Sequence, residues 1–236
     1  SPAEMGMPGQ EYFAGTHFNP NSTWWEKSGP FLAYLNRCQY MLQRGVFVAD
    51  AVYYYGDHVP NFAQLKRSDP ARLLPGYDFD VVTEEVVLTR MSVRDGRVVL
   101  PDGMSYRVLV LPNRSALSRS VVRKVRELVA NGATVLGPKP DRATGLQDFP
   151  ACDAEVVQLA DEVWGKGPLP SAGEHRWGRG RVVWGRTARD MLAADHVPPD
   201  FGYSEGDEKS TLDYIHRRDG ETEIYFVANS NNRWEN

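Results

Sequence analysis

The densest group of chemistry-bearing side chains lies near the N-terminus: His17, Asn19, Asn21, Trp24, Trp25 and Glu26. Indole rings offer flat apolar faces on which a pyranose stacks. Amide and imidazole groups hydrogen-bond its neighbouring hydroxyls. The set has the parts of a sugar site. It equally suits a loop glued to a core by its tryptophans, with asparagines holding turns. A second group surrounds the run VFVADAVYYY at 46–55, with Asp50 inside it and Asp57 and His58 just past its end. A charge within an apolar strand is costly unless paired, so Asp50 is either a hydrogen-bonded structural group or a functional group of shifted pKa. Asp57 and His58 fall at a strand's C-terminal end, the ligand edge of an open α/β sheet. Their plainer reading is a turn aspartate and a solvated histidine.

Three further motifs carry weaker signals. Asp78 and Asp80, with nearby loop carbonyls, could hold calcium, although turn capping is the default for Asp-Phe-Asp. The basic-aromatic stretch 175–181 could grip phosphate or single-stranded nucleic acid, but on an acidic chain it reads better as a solvated hairpin. Cysteine catalysis needs a thiol on a sharp strand-to-helix elbow with a histidine in reach. Cys38 instead falls on the apolar stripe of a helix, and Cys152 follows Phe149-Pro150-Ala151 in what reads as a loop.

The elements that must position these groups read as follows. Pro30 near the start, Gly45 at the stop and apolar residues Phe31, Leu35, Cys38 and Leu42 at helical spacing predict a helix over 30–44, with Ser28 as its cap. The run 46–55 predicts one strand buried on both faces. Thr83 caps a short helix over 84–90. Strands are expected at 97–100 and 106–111. A helix begins at Ser118 or Ser120 and stops at Gly132, with Val121, Val122, Val125, Leu128 and Val129 as its stripe. A buried strand follows at 133–136. Helices are also expected at 153–164 and 187–194, a strand at 181–184, and a hairpin about Asp219-Gly220. Alternation of strand and helix predicts an α/β fold with a doubly wound, mostly parallel sheet and a C-terminal β-hairpin.

Composition bounds the rest. The 236 residues carry 27 Lys and Arg against 31 Asp and Glu, a net charge of −4, which does not favour nucleic acid as partner. No apolar run is long enough to span a membrane. Two cysteines are too few for a disulfide framework or zinc cluster.

The segments 11–21 with Thr23-Trp24-Trp25, 45–50 with Tyr53-Tyr54-Tyr55-Gly56-Asp57, 75–80, and Ile215-His216-Arg217 with 225–229 together resemble glycoside hydrolase family 106, the α-L-rhamnosidase-like proteins. The resemblance implies a flavodoxin-like, class I glutamine amidotransferase-like domain at 46–195. It makes residues 1–45 the tail of a catalytic barrel and residues 205–236 the start of a β-sandwich. Most of the barrel would then lie outside this chain, leaving the segment inactive alone. Neither end reads as a domain boundary, and no signal peptide is seen. The implied partner is a carbohydrate, with contact to the missing barrel or to a second copy. The implied parent is a secreted or periplasmic bacterial protein in which calcium is an option. Glycoside hydrolysis uses two carboxylates about 5–10 Å apart. Glu26 and Asp57 are the expected catalytic pair, and His17, Asn19, Trp24, Trp25, Asp50 and His58 the expected substrate contacts.

Overall fold

The computed structural model describes residues 20, 22–203 and 212–234. The chain divides into two compact units, Ser1–Arg44 and Gly45–Asn236. In the first, a 3-10 turn at Trp25–Lys27 precedes helix α1 (Gly29–Leu42), which has Pro30 in its first turn. The predicted helix is present, but Ser28 makes no capping side-chain bond. Leu32, Leu35, Cys38 and Leu42 are its half-buried stripe, while Phe31 and Tyr34 are exposed.

The second unit is mixed α/β with four sheets among the described residues. Its strands begin with β1 (Val46–Phe47), β2 (Ala51–Tyr54) and β3 (Phe79–Val82), followed by helix α2 (Glu84–Thr89). Then come β4 (Ser92–Arg94), β5 (Arg97–Val99), β6 (Ser105–Tyr106), β7 (Val108–Val110), β8 (Ala116–Leu117) and α3 (Arg119–Ala130). Next are β9 (Thr134–Leu136), β10 (Arg142–Ala143), α4 (Ala151–Trp164), β11 (Gly173–Trp177) and β12 (Gly180–Trp184). The chain closes with α5 (Ala188–Ala194), β13 (Leu212–Asp219) and β14 (Thr222–Asn229).

The largest sheet runs β11-β12-β9-β7-β2-β3. Strands β12, β9, β7, β2 and β3 are parallel, and β11 is an antiparallel edge. Side-chain alternation along these strands divides the core in two. Val52, Tyr54, Leu109, Val135 and Val182 face a cluster completed by α2, α3 and α4. Ala51, Tyr53, Val108, Val110, Leu136 and Val183 face a second cluster completed by α5 and by Leu73 and Tyr77. Buried on both faces, these strands read as continuous apolar runs in the sequence.

The run 46–55 is not one strand. It breaks at 48–50: β1 pairs antiparallel with β13 in a separate sheet, and only β2 enters the large one. The backbone explains the break. Val48 N donates to the His216 carbonyl, whereas the Asp50 carbonyl accepts from Arg107 N and Val108 N, so the segment changes partners within two residues. Gly45, at φ +56°, lets β1 approach β13, because a Cβ there would sit 2.0 Å from the Arg218 carbonyl oxygen.

Other differences are local. Thr83 precedes α2 without a side-chain cap, whereas Ser118 accepts from Val121 N at 3.3 Å and Thr187 from Asp190 N at 3.0 Å. Residues 97–100 and 106–111 split into the β4-β5-β6 meander and β7. Cys152 lies in the first turn of α4, buried, rather than in a loop.

Leu109, fully buried at the centre of the large sheet, touches the three-helix cluster. Leu109→Ala is expected to cost about 2–5 kcal/mol in urea unfolding. Val227→Ala, on the 45% exposed face of β14, stays within about 0.5 kcal/mol.

Candidate functional site

The parallel strands all deliver their carboxyl ends to one edge, and that edge opens into a cleft of about 1010 Å³. Its floor is the ends of β2, β7, β9 and β12: Tyr54, Leu111, Gly137 and Trp184. An open α/β sheet presents its crevice at this edge, beside the point where strand order reverses. Here the reversal lies between β2, which is flanked by β3 and β7, and the strands that follow β7 outward.

Two buried tyrosines shape the walls. Tyr53 donates its hydroxyl to Asp69, and Tyr54 donates to Glu84 Oε2 at 3.1 Å. Burial first, then these carboxylates, pushes both phenols well above their ordinary range. Asp69 also accepts the backbone N–H groups of Ala71, Leu73 and Leu74, which folds the loop beside the cleft. Glu84 accepts from Ser118 Oγ at 2.6 Å, joining β2 to the cap of α3. On the far wall the Trp164 indole donates to the Gly137 carbonyl at 3.1 Å, and Trp184 donates to the Pro170 carbonyl at 2.9 Å.

Polar groups line the cleft unevenly. Its charged residues are Arg114, Lys139, Arg186, Asp141 and Asp161. Lys139 is engaged by Asp161 and by the Gly165 and Gly167 carbonyls, and Asp141 by Arg142. Arg114 and Arg186 are exposed, and their guanidinium groups have no ion-pair partner among the described residues. His58 stands in the same wall with its Nδ1 buried and without a hydrogen-bond partner. A buried polar atom left unmatched costs about 1–3 kcal/mol, so its retention in a cleft wall marks the position.

The expected site residues fall partly outside the described residues and partly in each of the two units. His17, Asn19 and Asn21 lie outside the described residues. Trp24, Trp25 and Glu26 lie in or beside the 3-10 turn, with Glu26 exposed. Asp57 is exposed beside the cleft and accepts from Thr144 Oγ1. Asp50 lies at the opposite, amino end of β2, where Arg107 Nε donates to it at 3.2 Å. Burial raises its pKa, with Arg107 opposing. Asp50 and His58 thus stand at opposite ends of β2.

A second polar cluster gathers at that amino end, which the sequence reading missed. His216 is buried with Nδ1 at 2.8 Å from Asp200 and Nε2 at 2.6 Å from Glu223, and its ring stacks on Tyr225 at 4.0 Å. Tyr225 donates to Asp200 at 2.9 Å, and Tyr214 donates to the Gly76 carbonyl at 3.1 Å. Against a burial penalty, hydrogen bonds from His216 and Arg218 hold the Glu223 carboxyl low. Every ring nitrogen and hydroxyl named here already has a partner, so the cluster anchors the hairpin β13–β14. Sequence spacing could not reveal it, because pairing of β13 with β14 sets His216 beside Glu223 and Asp200 reaches them from the segment after α5.

Asp78 and Asp80 are engaged by different partners. Asp78 is paired with Lys66 at 2.7 Å, and Asp80 accepts from Tyr106 at 2.8 Å. Among the described residues, no group of three or more His, Cys, Asp or Glu could hold a metal ion. The stretch 175–181 is the β11–β12 hairpin, whose basic groups are engaged locally: Arg181 by Glu174 and Asp195, Arg179 by Asn131. Cys38 and Cys152 are free thiols, and neither sits on a strand-to-helix elbow.

Comparison with known proteins gives this geometry a context. The sequence pattern of the alpha-L-rhamnosidase family, glycoside hydrolase family 106, matches residues 1–236. A Formosa agariphila protein named "Putative beta-glucuronidase" is 35% identical over 218 residues, covering 92% of this chain and 17% of that protein. The rhamnosidase from Novosphingobium sp. PP1Y superposes with a TM-score of 0.75 at 29% identity, over 91% of this chain and 20% of that one. The chain thus spans about a fifth or less of the length of these relatives.

Asp78 yields a pH test. Burial raises its carboxyl to about 6 from 3.8, although Lys66 opposes the shift. A carboxyl raised on folding contributes stability below its unfolded pKa and loses it as pH climbs through the folded value. Relative to Asp78→Asn, the wild type should lose up to about 3 kcal/mol between pH 4 and pH 7. Urea midpoints for both proteins across that range check it, and a constant difference contradicts it.

Proposed function

The chain belongs to the alpha-L-rhamnosidase family, glycoside hydrolase family 106, and from that premise we propose that it is part of a glycoside hydrolase acting on rhamnose-containing glycans. In this reading residues 46–195 form an accessory α/β domain, flavodoxin-like and class I glutamine amidotransferase-like. The five parallel strands, in the chain-order sequence second-first-third-fourth-fifth across the sheet, support it. Without a cysteine at a strand-to-helix elbow, the domain has no amidotransferase nucleophile and binds or assembles instead. Residues 1–45 belong to the end of a barrel, residues 205–236 open a β-sandwich, and residues 17–26 lend sugar contacts.

The observation that carries the proposal is the family match along the whole chain, with a rhamnosidase of the same fold at 29% identity. Glu26 and Asp57 are the carboxylates proposed for acid–base work, and both are exposed to solvent. Trp24 and Trp25, with His17 and Asn19, are proposed as sugar contacts, and His58 as a contact in the cleft. Asp50 is better assigned to structure, because its carboxylate is engaged by Arg107 away from the cleft. The name of the Formosa agariphila relative makes a hexuronide the second substrate to assay.

The test is hydrolysis of aryl α-L-rhamnoside and aryl β-D-glucuronide by the protein translated from the full reading frame around this segment. Turnover of the rhamnoside is expected, and loss of an acid–base carboxylate in Glu26→Gln or Asp57→Asn should lower it by about 100-fold or more. Failure to cleave either glycoside overturns the glycosidase reading. Unchanged rates in both variants overturn the carboxylate assignment.

A further inference from the structure

We infer that the carboxyl-edge cleft of the second unit is a binding site for an acidic saccharide, a sugar ring bearing a carboxylate or sulfate. The inference rests on the glycan reading above and deepens it, placing a further sugar contact on the α/β domain. Three observations support it. The cleft holds about 1010 Å³, at the upper end of small-ligand sites, with strand ends of one sheet as its floor and flanking loops and α4 as its walls. Its wall carries aromatic surface suited to a pyranose face, in Tyr55 and the 73% exposed Phe62. Its charge is unbalanced: both carboxylates have cationic partners, whereas Arg114 and Arg186 have no anion among the described residues.

The arginines decide the ligand class. A guanidinium presents a planar fork that fits carboxylate or sulfate oxygens through two parallel hydrogen bonds. Two such groups in one cleft of an acidic chain select an anion from the glycans that a neutral site would accept. His58 adds a ring whose unmatched Nδ1 lies in the same wall, and Asn61 and Asn113 bring amides able to read hydroxyls. These groups are assigned binding of the ligand alone.

The experiment is calorimetric titration of this chain with methyl β-D-glucuronide, glucose 6-sulfate, the methyl ester of the glucuronide, glucose, acetate and inorganic sulfate. The acidic sugars should bind at least fivefold more tightly than the neutral ring, and more tightly than the bare anions. Arg114→Ala/Arg186→Ala should weaken the acidic sugars by about tenfold or more and leave the neutral ones unchanged. Arg176→Ala, on the exposed hairpin away from the cleft, should leave all of them unchanged. Equal affinity for charged and neutral sugars overturns the anion selectivity, and equal affinity for bare anions overturns the sugar. No binding by this chain, while the full-length protein turns over aryl rhamnoside, overturns the cleft site and leaves the glycosidase reading standing. Acidic-sugar binding with no turnover by the full-length protein does the reverse.

Discussion

The fold of the second unit turns on the need of two buried phenol hydroxyls for acceptors. Tyr53 and Tyr54 are adjacent on β2, so their rings enter opposite faces of the sheet, and both are essentially inaccessible. A buried hydroxyl without a partner would cost about as much as one or two good packing contacts contribute. Each tyrosine is satisfied by a carboxylate that also organises something else. Asp69 gathers three backbone N–H groups of the following loop, and Glu84 ties the first turn of α2 to the Ser118 cap of α3. The central strand thereby fixes a loop on one face and two helices on the other. Both flank the carboxyl edge, so the same bonds that satisfy β2 set the walls of the cleft.

The two ends of the sheet consequently have different characters. At the amino end, Asp50, Asp78, Lys66, Asp200, His216 and Glu223 are matched to one another or to arginines. This closed network holds the β13–β14 hairpin and β1 against the domain. Aromatic stacking of Phe201 on Tyr214 at 4.7 Å adds apolar contact to the same junction. At the carboxyl end the polar groups are incompletely matched. Matched charge stabilises a junction, whereas unmatched charge and an orphaned ring nitrogen retain interaction capacity for something else.

How much of this the sequence reveals depends on whether the signal is local. The α3 helix is legible because five valines and leucines fall on one face and Ser118 precedes them, and a helix buries exactly such a stripe. The closing hairpin is legible from Asp219-Gly220 between alternating residues. The run 46–55 misleads because apolar continuity marks burial, not pairing, and two different sheets bury its halves. β3 goes unseen because Asp78 and Asp80 mask it; beyond a bond from the next residue's N–H, their carboxylates are satisfied by distant Lys66 and Tyr106. Asp57 and His58 are placed at the ligand edge by strand order alone, whereas Arg114 and Arg186 follow two other strands and carry no local pattern. Function-bearing groups on successive βα turns converge only when the sheet is assembled.

That convergence is a property of the sheet itself. A parallel sheet brings four loops together at one edge whatever chemistry those loops carry. A crevice with no function would be expected to close by apolar filling, because burying side chains there gains about 25 cal/mol for each Å² removed from water. Here the opening keeps two arginines exposed and a histidine nitrogen unmatched. The exposed arginines cost little in water, but the histidine does carry a penalty that simple packing would eliminate. Exposed cations and an unmatched ring nitrogen at one edge give the crevice the chemistry of a binding surface rather than of packed core.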